Sequence, residues 1–302
     1  MTRILITGAG GNVGRALLAG LAGHEVLATD VAPGFERLDV TGDDPARVIG
    51  AFRPEVVVHL ASIVTPPKGS TRAFEWRVDV LGTRNVLDAC LAQGVRRLVV
   101  TSSGAAYGYH GDNPVPLRET DALRGNPEFA YADHKRQVEE MLAQARSDHP
   151  AMEQVVLRVG TVLGEGVENQ ITALFRRPRL LAVAGSGSPF VFIGTQDLAR
   201  ILIRAATDGP AGVFNVAGDG VMNVQDLARA MGKPVMTLPA WALRAVLGVA
   251  HPLRLSRYGP EQVRFLQYRP VLDNAALKTT FGYAPELTSA QVFDLWRRWA
   301  KP

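Results

Sequence analysis

The sequence predicts an α/β fold: a doubly wound parallel sheet carrying a smaller C-terminal lobe. Three observations predict it. Short β-branched runs alternate with helical patterns through the first half of the chain. After Arg158 that alternation loosens without a low-complexity linker or an internal repeat. The length of 302 residues, 47% of them hydrophobic, suits one α/β domain with an added lobe.

In order, an apolar strand is expected over Arg3–Thr7, ending at Gly8, then a helix over Val13–Leu21 and a second strand over Glu25–Thr29, ending at Asp30. A third strand over Glu55–Leu60 leads to a helix from about Thr71 to Gln93. A fourth strand over Arg97–Ser102, a helix over Tyr131–Ala145 and a strand over Gln154–Val159 complete the run. Strands spaced by helices are parallel with helical crossovers, and such sheets bind ligands at their carboxyl ends. Further on, strands are expected at Leu180–Ala184, Phe190–Ile193 and Gly212–Val216, with helices at Asp197–Ala206, Val224–Met231, Leu238–Val249 and Ser289–Trp299. Residues 1–160 are read as the nucleotide-binding domain. Residues 161–302 are read mainly as a substrate lobe, with about 190–216 returning to the sheet.

Composition excludes several classes. With 21% charged residues the chain is neither disordered nor fibrous, and no apolar run approaches the ~20 residues that span a bilayer. The N-terminal MTRILITG lacks an apolar signal core, and the lone Cys90 makes no internal disulfide, so a cytoplasmic location is expected. Cys90 is expected to pack as a small apolar side chain on a helix. Net charge is +4, divided as −2 over residues 1–150 (16 basic, 18 acidic) and +6 over 151–302 (17 basic, 11 acidic). The basic residues are scattered, mostly as single arginines, with no Lys/Arg tract and no aromatic interleaving, which argues against nucleic acid. No membrane partner and no metal ligands are assigned.

Gly8-Ala-Gly-Gly11-Asn12-Val13-Gly14 joins the first strand to a helix. Gly8 permits a tight turn, Gly11 lets backbone approach a pyrophosphate, and Gly14 lets helix pack closely on strand. The helix N-terminus then offers free N–H groups to phosphates. Asp30 follows 16 residues after Gly14, placed to bond both ribose hydroxyls of NAD and repel a 2′-phosphate. No Arg follows it directly, so the cofactor read is NAD. Asp39 and Val40 are placed to meet the adenine. The domain is therefore Rossmann-type.

Tyr131 and Lys135 stand four apart and share a helix face. A Tyr of pKa about 10 is a poor acid or base at neutral pH unless a cation favours its phenolate. Lys135 supplies one, and can also bond the nicotinamide ribose. Ser102 and Ser103 end the fourth strand, where a hydroxyl can hold a substrate oxygen beside the tyrosine.

Together these stretches resemble the extended short-chain dehydrogenase/reductases, the NAD-dependent epimerase/dehydratase family. The likeness is carried by Thr7–Gly14, His59-Leu60-Ala61-Ser62, Asp79–Val86, Thr101–Gly108, Tyr131–Lys135 and Leu157–Gly160, and more weakly by Asp197-Leu-Ala and Gly212–Val216. It implies that Ser103, four residues before Tyr107, is catalytic with Tyr131 and Lys135. It implies that Leu60, Ala61, Ser62 and Thr101 join the cofactor site. It further implies hydride transfer at the nicotinamide with Tyr131 as acid/base, and a homodimer built on helices at about 71–93 and 129–146.

Three departures bear on the small-molecule substrate. Gly104 and Ala105 stand where the family's dehydratases carry an Asp-Glu pair, so dehydration is not expected. Asp79 stands where the family has Asn, altering a structural hydrogen bond. Phe190 stands where sugar-nucleotide members carry an Arg, which predicts an uncharged or weakly charged substrate with an apolar body. Arg176, Arg177, Arg179, Arg254 and Arg257 could still meet a phosphate; Arg176 is the candidate taken forward with Phe190 and Ser103. Phe190, Phe192, Trp241, Leu243 and Leu253 are lobe core or pocket lining. Arg158 is read as a structural pair former. The reading is an oxidoreductase acting on a secondary alcohol or ketone. Its rivals are a sugar-nucleotide epimerase with tightly held NAD and a non-catalytic NAD-sensing regulator.

Overall fold

Alternate residues of the β-branched runs face opposite sides of one sheet, and both sides are buried. Ile4, Ile6, Val56, Val58, Val99, Val155 and Leu157 build one core, while Leu5, Val57, Leu98, Val100 and Val156 build the other. A sheet covered on both faces needs continuous apolar strands, and these strands have them. The computed structural model describes residues 1–67, 69–253, 255–256 and 259–300. Arg254 and Arg257, two of the basic candidates, lie outside the described residues.

The strands are β1 (Arg3–Thr7), β2 (Glu25–Asp30), β3 (Glu36–Arg37), β4 (Val56–His59), β5 (Arg97–Ser103), β6 (Glu153–Val159), β7 (Thr161–Leu163), β8 (Leu180–Val183), β9 (Phe192–Gly194), β10 (Gly212–Val216) and β11 (Val235–Leu238). Seven form a parallel sheet in the order β10-β6-β5-β4-β1-β2-β3. Chain order runs outward in both directions from β1, so the switch point lies between β1 and β4. In such sheets the crevice at the carboxyl ends of those two strands receives ligand. β7 pairs with β9 and β8 with β11 in two small parallel sheets of the lobe.

The helices are α1 (Asn12–Leu18), α2 (Asp44–Phe52), α3 (Arg72–Trp76), α4 (Gly82–Ala92), α5 (Ala130–Asp148), α6 (Gln170–Phe175), α7 (Thr195–Ala206), α8 (Val224–Met231), α9 (Ala240–Ala250), α10 (Gln262–Gln267), α11 (Ala275–Thr279) and α12 (Ser289–Trp299). Leu17, Leu198, Ile201 and Leu202 bring α1 and α7 onto one face. Val48, Val86, Cys90, Val138 and Leu142 bring α2, α4 and α5 onto the other, with Cys90 fully buried on α4 as expected.

Several expectations are corrected. The helix after the glycine loop stops at Leu18 rather than Leu21. A Cβ on Gly20 would lie 2.2 Å from Ile203 Cδ1, so the chain there passes tight against α7. The helix read as 71–93 is three consecutive pieces, because a π turn over Arg77–Leu81 joins α3 to α4. Phe190 precedes β9 and bridges to Met222 instead of lying in a strand. Trp241 (73% exposed) and Leu253 (63% exposed) belong to neither core nor pocket. Phe192 and Leu243 are core, as read.

The lobe has its own aromatic core. The Phe175 ring packs edge-on to Phe190, Phe293 and Trp296 at centroid distances of 5.3, 5.4 and 5.5 Å. Phe190 is thus part of the lobe core and also, as described below, of the cavity wall.

Candidate active site

The glycine loop closes the β1 end of the switch-point crevice. Gly8 has φ +72°, and a Cβ there would sit 2.6 Å from the Ala61 amide nitrogen, so the loops after β1 and β4 touch at this point. A Cβ on Gly14 would meet the Gly8 carbonyl at 2.6 Å, which only glycine avoids. At Gly11 a Cβ would meet nothing nearer than 3.4 Å, leaving that backbone open to a ligand. No side chain caps the start of α1, so its first amides are free for phosphate.

Asp30, at the carboxyl end of β2, faces this loop. Its Oδ2 accepts from Gly10 N at 2.8 Å and its Oδ1 from Ala32 N at 2.9 Å. Each carboxylate oxygen keeps a further lone pair for a ribose hydroxyl. Asp39 turns its carboxylate back onto the backbone and hydroxyl of Thr41. Val40 buries its side chain in the core, and its carbonyl accepts from Asn85 Nδ2 at 2.8 Å.

A cavity of ≈ 450 Å³ opens from the crevice toward the lobe. Val13, Leu60, Ser62, Thr101, Ser103, Tyr131 and Lys135 all line it. β5 delivers Ser103 at its last position, and α5 delivers Tyr131 and Lys135 one turn apart. Lys135 is buried; its Nζ donates to the Thr101 carbonyl at 3.1 Å and lies 5.6 Å from the Tyr131 ring centroid. Burial lowers the Lys135 pKa, while the charges of Asp79 and Glu139 oppose that fall. Burial also pushes the Tyr131 hydroxyl above its ordinary value, and the Ser103 hydroxyl opposes the rise. Ser103 Oγ accepts from Ala105 N at 3.1 Å, which fixes its rotamer.

Behind these groups α5 is fixed to the sheet. Glu139, one turn beyond Lys135, is buried and bonds Arg158 of β6 at 2.8 Å and the Ser102 hydroxyl at 2.5 Å. Arg158 also donates to the Tyr107 hydroxyl at 2.7 Å. Arg158 is therefore the structural pair former expected. Asp79 accepts from Ser62 Oγ at 2.8 Å and Ile63 N at 2.9 Å, and lies 3.4 Å from His134 Nδ1. Burial raises its pKa, but His134, Lys135 and these donors outweigh that and hold it below the usual carboxylate value. Asp79 thus orders the loop after β4, which ties up the Ser62 hydroxyl.

Toward the lobe the cavity is mostly apolar, with Tyr109, Phe129, Phe190, Val191, Phe265 and Leu272 on its walls beside the neutral amides of Asn169, Gln170 and Gln262. Arg176 is not among them. It pairs with Glu168 at 2.8 Å and lines a separate shallow depression on the surface. Among the described residues the arginine that does reach the cavity is Arg269, whose Cζ lies 3.9 Å from the Phe190 ring centroid. Sequence reading missed it, because a single Arg in the loop between α10 and α11 carries no periodic or motif signal.

The model of the NAD dependent epimerase/dehydratase family matches residues 4–217. The chain belongs to that family. As a member it is an NAD-dependent enzyme, and the glycine loop, Asp30 and the Ser/Tyr/Lys group fit that cofactor. An enzyme replaces the rival reading of a non-catalytic regulator. An uncharacterised protein of Mycobacterium tuberculosis is 27% identical over 311 residues, 96% of this chain and 82% of that protein. A 2-alkyl-3-oxoalkanoate reductase of Stenotrophomonas maltophilia is 28% identical over 325 residues, 95% and 96% of the two chains. Among solved structures, UDP-glucose 4-epimerase of Thermotoga maritima with UDP-glucose superposes with a TM-score of 0.76 at 20% identity, covering 99% of this chain and 98% of that one. The enzyme WbmG of Bordetella bronchiseptica, in complex with NAD and UDP, gives 0.74 at 21%, covering 99% and 93%. These two likenesses are likenesses of fold. No helix among the described residues is long and apolar enough to cross a membrane.

Proposed function

We propose that this family member is an NAD-dependent oxidoreductase that interconverts a ketone and a secondary alcohol on a substrate with an apolar body. The observation that carries the reading is the convergence of Ser103, Tyr131 and Lys135 on the floor of a cavity whose lobe side is walled by aromatic and aliphatic side chains. Bound NAD supplies or accepts the hydride. Tyr131 Oη donates its proton to the carbonyl oxygen in reduction and takes it from the hydroxyl in oxidation. Ser103 Oγ hydrogen-bonds the same oxygen and holds it within reach of the tyrosine. Lys135, fixed by the Thr101 carbonyl, stabilises the phenolate that remains after proton transfer.

The wall chemistry supports this choice. Gly104 and Ala105 after Ser103 offer no group to move the proton that water loss requires. The relative named as a 2-alkyl-3-oxoalkanoate reductase, matching over nearly the whole of both chains, points the same way. The second reading, a sugar-nucleotide epimerase, draws on the UDP-sugar-binding enzymes of the same fold. Against it, a nucleotide diphosphate needs several donors. Among the described cavity-lining residues only Lys135 and Arg269 are cationic, and Lys135 is engaged at the reacting centre.

The test is steady-state oxidation of NADH with medium-chain ketones and 3-oxo acids. Wild type turns over at least one of them, and Tyr131→Phe lowers kcat by roughly 10²–10⁴-fold, the scale of general acid–base catalysis. NAD binding by the variant survives. A Tyr131→Phe enzyme that keeps most of its activity contradicts the role given to Tyr131.

A further inference from the structure

Arg269 is a buried cation in an apolar setting. It is 8% exposed, and its guanidinium carbon lies 3.9 Å from the Phe190 ring centroid and 4.7 Å from that of Phe265. Its Nε is buried with no hydrogen-bond partner, and its Nη1 reaches only the Leu266 carbonyl at a long 3.4 Å. No described carboxylate lies within ion-pair distance of it. Two carboxylates line the same cavity, but Glu128 is held by Arg264 at 3.0 Å and Glu75 makes no ion pair with Arg269. The other buried arginines among the described residues, both on the central sheet, are satisfied: Arg158 has Glu139, and Arg97 has Glu153 and two carbonyls.

A buried charge without a counter-ion is costly, and two aromatic faces offset only part of that cost. Burial lowers the pKa of Arg269 to about 9, the Tyr109 phenol opposing the fall, which still leaves it charged at neutral pH. The rings hold the guanidinium plane, and its N–H edge is what remains for an acceptor. The loop that carries it is anchored, since Leu117 N donates to the Val271 carbonyl at 2.7 Å and Asp273 N to the Leu117 carbonyl at 2.8 Å. The cavity that Arg269 lines is the one that holds Ser103 and Tyr131.

We propose that Arg269 is the anion-binding residue of this cavity, and that the substrate is a carboxylic acid with an apolar body whose carboxylate pairs with it. The assignment of a carboxyl group to a carbonyl-bearing substrate rests on the oxidoreductase reading above; the anion site itself does not. A carboxylate matches one planar guanidinium in charge and in its two parallel acceptors. A diphosphate would bring more charge than the one spare cation among the described lining residues answers, past two carboxylates and into mostly apolar walls. Phe190 then has a second task besides core packing: its ring face holds the cation in place.

The test has a binding arm and a turnover arm, both on the whole enzyme. In the first, decanoate and decanamide are titrated by calorimetry into wild type, Arg269→Met and Arg269→Lys in the presence of NAD. Wild type binds decanoate at least about 10-fold tighter than the amide, and Arg269→Met loses about 10- to 100-fold for decanoate, the scale of a charged hydrogen bond. Arg269→Lys keeps the charge but not the planar fork and falls between the two. Circular dichroism confirms that each variant is folded. In the second arm, 3-oxodecanoate is compared with its methyl ester; the acid-to-ester ratio of kcat/KM collapses in Arg269→Met, through KM. Equal binding of acid and amide by wild type, or decanoate binding unchanged in Arg269→Met, overturns the proposal whatever the turnover. Arg269-dependent binding of UDP in place of decanoate overturns the carboxylate. Arg269-dependent binding of decanoate with no turnover of either carbonyl compound upholds the anion site and defeats the oxidoreductase reading alone.

Discussion

Asp30 is a loop anchor to which the proposed reading gives a second role at the cofactor. Its two oxygens hold the amides of Gly10 and Ala32, which shapes the glycine loop, and in the proposed reading the same carboxylate takes the adenosine ribose of NAD. Replacing it by Ala removes both the ribose acceptor and the negative charge that repels a 2′-phosphate. Asp30→Ala is expected to lower kcat/KM with NADH and to raise relative use of NADPH, measured as the ratio of the two. A wild type that already prefers NADPH contradicts the assignment. At this scale the sequence was most legible where spacing and residue type constrain each other, as in the glycine loop and the Tyr131/Lys135 pair. It was least legible at Arg269, whose neighbours Phe190 and Phe265 are supplied by other segments of the chain. The pairing of Asp79 with His134 was equally hidden, since the two meet only when α5 packs beside the π turn.

The element that organises the chemistry is α5. Tyr131, Lys135 and Glu139 recur every four residues on one face, so the helix that carries the proposed acid/base and the lysine also carries its own anchor. Glu139 neutralises Arg158, which is buried on β6 and donates to the Tyr107 hydroxyl. Removing one partner of a buried pair leaves the other charge uncompensated, at a cost of roughly 3–5 kcal/mol. Glu139→Ala is therefore expected to lose about that much stability in urea denaturation. The neighbouring exposed pair Arg136–Glu140 serves as control, and Glu140→Ala is expected to cost roughly 0–1 kcal/mol. Equal losses at the two positions would contradict the anchoring role. The long apolar strands and α5 were readable from periodicity. The short elements β3, β7, α6, α10 and α11 were not, because a few residues cannot show a period. The π turn escaped for another reason: its wide turn lies within an otherwise continuous helical pattern.

At the scale of the molecule, two bodies of side chains meet at one cavity. The sheet contributes a polar floor from the ends of β4 and β5 and from α5, and the lobe contributes an apolar wall built on its aromatic core. The alternation of strands and helices made the sheet legible, while the lobe's two small sheets and its aromatic cluster depend on contacts between distant segments. The apolar wall was foreshadowed by Phe190 alone; the charge set into it was not. The proposed chemistry is hydride transfer to the carbonyl carbon of a substrate with an apolar body. The direct measurement is incubation with NADH deuterated at the transferable C4 position and 3-oxodecanoate, followed by mass spectrometry of the product. One deuterium is expected on the carbon that bore the 3-oxo group, at a rate lowered sharply in Tyr131→Phe. Absence of deuterium from that carbon and from every other carbonyl tried, with inversion of a UDP-sugar on retained NAD, would contradict it.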